Sequence, residues 1–267
     1  MTCYLDAPQG RFELHRFPVR KNDLLQAWDA ADEYLLQHVA SLEFPENAHL
    51  VIVNDAFGAL AVAHHAQRPT ALSDSYLSQA ATRENLRLNG VAENTVTLLD
   101  SLALPRPGID TLLIRIPKTL ALLEYQLHRL RPLLKPDAHI VAAGMVKNIP
   151  PTAWKLIERL LGPTRPSLAV KKARLLFVDV DPTLTLPANP YPVRYRLEHS
   201  DWQITNHANV FSRDSLDIGT RFLLQHLPVD PAYQEVIDLG CGNGVVGLML
   251  AQQMPQARVH FVDESFM

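Results

Sequence analysis

Cysteine is almost missing: Cys3 and Cys241 are the only two among 267 residues. Two thiols cannot build a disulfide framework or a zinc site, so a reducing cytoplasm is the expected compartment and no metal is expected. Long apolar runs are missing too. No uninterrupted stretch reaches membrane-spanning length, and Met1 to Arg20 holds no apolar segment of signal-peptide type. Composition argues against disorder, because 47% of residues are hydrophobic and only 20% are charged.

Acid is scarce in one region. From Arg115 to Arg174 there are 12 Lys/Arg against 3 Asp/Glu, a balance of +9, while the remainder carries 13 against 25, or −12. Such asymmetry marks either a nucleic-acid face or solvated helix faces that happen to be basic. Candidates for phosphate contacts are Arg129, Arg131, Lys135, Lys171, Lys172 and Arg174.

What is present is a regular alternation. A short strand or extended arm around Phe12-Glu13-Leu14 precedes a helix expected over Leu24–Val39. Strands are expected at His49–Asn54, Ala71–Asp74, Thr95–Leu99, Asp110–Ile116, Ala138–Ala143 and Ala173–Val180. Helices are expected between them at Ala59–Gln67, Tyr76–Leu88, Leu120–Leu134 and Pro151–Leu161. This rhythm predicts an α/β fold with a mostly parallel, doubly wound sheet. Asp181–Pro192 holds four prolines in twelve residues and reads as a linker. Beyond it come two candidate strands, Val193–Leu197 and Trp202–Thr205, and a helix over Ile218–Leu227.

The last part of the chain carries the sharpest signal. Val236-Ile237-Asp238-Leu239-Gly240-Cys241-Gly242-Asn243-Gly244 reads as a strand running into a glycine turn and a helix, and Phe261-Val262-Asp263 as the next strand ending at an acid. Small residues let the chain turn tightly and bare its N–H groups at a helix N-terminus, a site for an anionic group. Asp263 follows Gly244 by 19 residues, the spacing of a carboxylate that holds two ribose hydroxyls, although a helix N-cap is its simpler role. Gly242-x-Gly244-x-x-Gly247 formally matches the dinucleotide fingerprint. Asp238 argues against that reading. A carboxylate in a buried strand either braces the turn or meets a cationic ligand. Cys241 has no His or acid partner near it in sequence and reads as a small residue filling the turn.

An internal echo accompanies the motif. Val51-Ile52-Val53-Asn54-Asp55-Ala56-Phe57-Gly58, followed by Leu72-Ser73-Asp74, repeats the strand, turn, helix, strand, acid order with one glycine, and with Val53 in the place of Asp238. Two readings stand: a duplicated fold whose first site was emptied, or chance likeness of two βαβ units.

Asp-Leu-Gly-Cys-Gly-Asn-Gly resembles the cofactor motif of S-adenosylmethionine-dependent methyltransferases. The segment from Asn206 to Arg221, with Asn206-His207-Ala208-Asn209-Val210-Phe211-Ser212-Arg213, resembles the one preceding that motif in bacterial ribosomal RNA guanine-N2 methyltransferases. Gln26-Ala27-Trp28-Asp29, Asn54-Asp55-Ala56-Phe57-Gly58, Arg83-Glu84-Asn85-Leu86-Arg87, Arg115-Ile116-Pro117-Lys118 and Lys171-Lys172-Ala173-Arg174 are similar to the family of ribosomal RNA large subunit methyltransferase G, 23S rRNA guanine-N2 methyltransferases, across essentially the whole chain.

The resemblance implies tandem Rossmann-like methyltransferase folds. The expected division is residues 1–182, complete but without a cofactor motif and recognising rRNA; a linker, 183–192; and 193–267, the beginning of the catalytic domain. It implies S-adenosyl-L-methionine as cofactor and 23S ribosomal RNA as partner, with no membrane involved. Gly240, Gly242 and Gly244 would line the methionine end and Asp263 the ribose, with Asp238 and Cys241 completing the turn. Phe211 and Ser212 would fall near the methyl group and the target base. The family's Asn-Pro-Pro-Phe/Tyr tetrapeptide, which grips the guanine amine, is absent from this sequence. The sequence is therefore expected to be truncated within its catalytic domain and inactive alone. Competing expectations are an RNA-binding module only, a small-subunit rRNA guanine-N2 methyltransferase, a small-molecule methyltransferase and a nicotinamide enzyme.

Overall fold

A computed structural model describes residues 3–20 and 24–267 and divides into two compact units, Met1–Ala188 and Asn189–Met267. The first unit opens on an antiparallel hairpin, β1 (Tyr4–Ala7) and β2 (Gly10–Glu13), where the sequence suggested a single arm. Helix α1 covers only Ala30–Val39. Its start is fixed by a capping box: Asp29 accepts the N–H groups of Ala31 and Asp32, while Asp32 accepts that of Asp29. Leu24, which extended the helical spacing, is exposed ahead of it.

The remaining elements of this unit alternate as expected. They are β3 (Leu50–Val53), α2 (Ala59–Ala63), β4 (Thr70–Ser73), α3 (Tyr76–Leu88), β5 (Thr97–Asp100), β6 (Ile109–Arg115), α4 (Leu120–Leu130), β7 (Leu134–Met145), α5 (Pro151–Leu160), β8 (Thr164–Pro166) and β9 (Ala173–Val178). Helix α4 stops four residues short of Leu134 because Pro132 lacks an N–H and crowds the preceding turn, leaving a 3-10 turn over Arg131–Leu133. The short strand β8 had no signal in the sequence.

Seven strands form one sheet in the order β5-β4-β3-β6-β7-β9-β8. The first five are parallel, and β9 runs antiparallel to both β7 and β8. This is the Rossmann-like methyltransferase order. The pleat divides the core: Leu50, Ile52, Leu113 and Val141 pack on the side of α1 and α2, and Val51, Val53, Leu112 and Ile140 on the side of α4 and α5.

The second unit contains a hairpin, β10 (Val193–Arg196) and β11 (Gln203–Asn206), then α6 (Ile218–Leu224), β12 (Glu235–Leu239), α7 (Val245–Gln253) and β13 (Arg258–Val262), with β12 and β13 parallel. Its apolar cluster gathers Leu197, Ile204, Leu216 and Val245. Strand β12 is not the buried strand that the sequence predicted, for Ile237 and Leu239 are exposed. Among the described residues no helix is long and apolar enough to cross a membrane.

Candidate cofactor site

Between β12 and α7 the backbone enters the left-handed region at Gly240 (φ 74°), Gly242 (φ 52°) and Gly244 (φ 76°). A Cβ added to Gly240 or Gly242 would meet nothing within 4 Å. The turn is therefore an open strip of backbone at the N-terminus of α7, where the helix dipole favours negative charge, while the Gly240 and Cys241 N–H groups donate to the Val262 carbonyl and that of Gly244 to the Cys241 carbonyl. Gly247 serves packing instead. A Cβ there would come within 2.3 Å of the Phe261 ring, so its absence lets α7 close onto β13.

Three side chains shape this turn. Asp238 accepts the Gly247 N–H at 2.8 Å, so it braces the first turn of α7, one of the two roles left open by the sequence. Asp263 accepts the N–H of Gly242 at 2.8 Å and of Ser265 at 2.9 Å. Burial raises its pKa, but donors from Ser265, Gly242 and Glu264 outweigh that and hold the carboxyl below its ordinary range. Burial, and then the charges of Asp263 and Asp238, push the Cys241 thiol up, so it stays neutral and is no nucleophile.

Phe211 lies on a loop with 73% of its surface exposed, and the Ser212 hydroxyl donates to the Ser215 carbonyl at 2.7 Å. One pairing near the turn was missed in the sequence. Asn243 accepts the Val245 N–H at 3.3 Å and donates to the Tyr195 hydroxyl at 3.2 Å, tying the turn to β10. An Asn inside a glycine turn was the available signal, but its partner stands 48 positions away.

The corresponding turn of the first unit is closed. Strand end and helix cap match Val53 with Leu239 and Gly58 (φ 83°) with Gly244, which sets Ile52, not Val53, opposite Asp238. Here the helix N-terminus is already filled. The buried carboxylate of Asp55 accepts N–H groups from Gly58 at 3.1 Å and from Leu60 and Ala61, each at 2.9 Å. A Cβ on Gly58 would stand 2.8 Å from the Thr82 Cα and 2.7 Å from its hydroxyl. At the end of β6, Arg115 pairs with Asp29 at 2.8 Å and with Asp32 at 3.0 Å. The first copy has thus packed protein into the space that the second leaves open.

The six basic candidates separate into two groups. Arg129, Arg131 and Lys135 sit around the end of α4 and the start of β7, while Lys171, Lys172 and Arg174 sit at the start of β9, beside the far end of β7. Arg129 donates to the Tyr125 hydroxyl at 2.6 Å and the Leu102 carbonyl at 2.9 Å, and Arg131 to the Leu160 and Asp181 carbonyls. Lys135 pairs with Asp110 at 2.5 Å and Lys171 with Glu33 at 2.7 Å. Lys171 (φ 48°) and Lys172 (φ 64°) form a left-handed pair at a tight turn, where Asn-Gly is the usual choice. Arg174 keeps a buried Nε without a partner.

Residues 2–182 match the RLMG N-terminal domain family and residues 201–267 the methyltransferase small domain family. The chain is 51% identical to the ribosomal RNA large subunit methyltransferase G of Streptomyces avermitilis, over all of this chain and 71% of the relative. It is 53% identical to the Erwinia tasmaniensis protein of that name, over 98% of this chain and 69% of the relative. In fold it is similar to a T. thermophilus 16S rRNA N2 methyltransferase solved with AdoMet and guanosine, at TM-score 0.69 and 18% identity, over 98% of this chain and 68% of that one.

Proposed function

Because the chain belongs to the family of ribosomal RNA large subunit methyltransferase G, we infer that it serves S-adenosylmethionine-dependent methylation of a guanine N2 amino group in 23S rRNA. The observation that carries the reading is the contrast between its two turns. Gly240 and Gly242 leave bare backbone open at the N-terminus of α7, whereas Asp55 and Thr82 fill the matching place in the first unit.

The residues present fit the cofactor. The methionine end of the cofactor would lie along Gly240, Gly242 and Gly244, where the missing Cβ atoms leave room beside the backbone. Asp263, held ionised by its backbone donors, would take the ribose hydroxyls. Asp238 would act through Gly247 by fixing the slope of α7, and neutral Cys241 would fill the turn without competing chemistry. Phe211 and Ser212 are assigned beside the methyl group and the base. Bound here, the cofactor supplies an electrophilic methyl group on sulfur. Displacement of this kind gains most from alignment, up to ~10 kcal/mol of barrier. A guanine inside a duplex would also have to leave its stack.

In this reading residues 1–182 recognise the RNA, 183–192 link, and 193–267 hold the cofactor. The cytoplasm, where ribosomes are made, is the matching compartment. In cells lacking the gene, nucleoside analysis should find one N2-methylguanosine fewer in 23S rRNA and an unchanged content in 16S rRNA. An unchanged 23S content would overturn the assignment.

A further inference from the structure

The cofactor end of the first unit is plugged, but the opposite end of its sheet is not. A cavity of about 660 Å³ opens where β3, β4 and β5 begin. Its cationic wall is made by Arg68 and Arg106, both exposed, and neither guanidinium makes an ion pair or hydrogen bond among the described residues. Leu99, Leu104 and Pro105 supply an apolar wall, and no carboxylate lines the space. Asp110, which accepts the His49 N–H at 2.7 Å, is also committed to the Lys135 ammonium.

His49 provides the second observation. Its side chain lines the cavity, only 5% of the residue is exposed, and its buried Nδ1 has no hydrogen-bond partner. On the other side of the ring Nε2 lies 3.4 Å from the Thr70 hydroxyl. A buried polar atom left unpaired in a native fold calls for an explanation. Two guanidiniums, an apolar shelf and this histidine line one space, of the size that small ligands occupy.

We propose that this cavity binds an RNA phosphodiester together with its adjoining nucleoside. Arg68 and Arg106 clamp the phosphate in the forked geometry that guanidinium offers. The sugar and base rest on Leu99, Leu104 and Pro105. The proposal rests on the first unit's being the RNA-recognising part, and it locates that recognition on residues outside the six basic candidates.

The test is RNA binding by the whole chain. A fluorescein-labelled single-stranded oligouridylate is titrated by anisotropy over a salt series, using wild type, the R68A/R106A variant and a charge-matched K147A/K155A control altered at exposed lysines. The cavity variant should bind about tenfold more weakly and its salt slope should fall by about one, while the control keeps both within twofold. All three should melt together, because the altered side chains are exposed. If wild type binds and R68A/R106A binds equally well, the cavity assignment fails alone. If wild type binds no RNA, the assignment fails together with the recognition role of the first unit. Inorganic phosphate forms the second arm. Protection of wild type by phosphate, lost in R68A/R106A while RNA affinity is unchanged, would make the cavity a small-anion site and overturn the RNA assignment.

Discussion

Gly58 and Gly240 share a left-handed backbone, at φ 83° and 74°, yet one added methyl group should affect them in different ways. In Gly58→Ala the new Cβ would press on the Thr82 backbone at 2.8 Å, adding overpacking to backbone strain. We expect a loss of about 2–4 kcal/mol in the first unit, read as a lower melting temperature. Gly240→Ala meets no atom within 4 Å and costs only the backbone strain, about 1–2 kcal/mol. Its main effect falls on ligand binding. S-adenosylhomocysteine at a hundredfold excess over its Kd should stabilise wild type by about 2.7 kcal/mol and the variant far less. A Gly240→Ala protein protected as fully as wild type would remove this turn from the cofactor site. Which glycine was open could not be told from sequence, since Thr82 lies 24 positions beyond Gly58 and only folding brings them together.

At the level of elements, what the sequence disclosed depended on whether the deciding contact was local. Helix α3 was legible at both ends, with Ser75 capping the Ser78 N–H and Asn89-Gly90 closing it. Helix α1 was misplaced by six residues because apolar spacing was followed back through Ala27 and Trp28 to Leu24, although Asp29 and Asp32 were there to mark its cap. The end of β6 was opaque, because Arg115 finds Asp29 across 86 positions of chain. That junction has a pH signature. Burial, only partly offset by Arg115, raises Asp32 to about 7, and burial likewise raises Asp55. A carboxyl whose folded pKa exceeds its unfolded value holds a proton that the unfolded chain releases, so its contribution to stability falls as pH rises from about 4 towards 7. His38, His49, His64, His128 and His139, all lowered mainly by burial, pull the other way, since the unfolded chain protonates them first on acidification. The difference between Asp32→Asn and wild type isolates the carboxyl. Urea melts should show the variant gaining on wild type as pH rises from 5 to 7, and a gap independent of pH would count against the raised value.

Across the whole molecule, the two units differ in how much apolar surface they cover. Strands of the first sheet are sandwiched between two clusters, whereas Ile237 is 64% and Leu239 80% exposed on β12, and α6 buries no residue. Parallel strands are ordinarily covered on both faces. The second unit should therefore open first, so that brief trypsin treatment trims residues 189–267 and leaves the first unit intact. Survival of the second unit while the first is digested would contradict this. The arrangement of cations carries a different consequence. Ile109 pairs with Leu134, Arg115 with Ala143 and Met145 with Ala173, so about eight residue steps, roughly 26 Å, separate the level of Lys135 from that of the turn at Lys171 and Lys172. The sheet therefore keeps two groups of cations a fixed distance apart. If those groups meet RNA phosphates, as the sequence suggests, a trinucleotide is too short to touch both at once. A folded RNA long enough to span the interval would then be preferred by its length before any base is read.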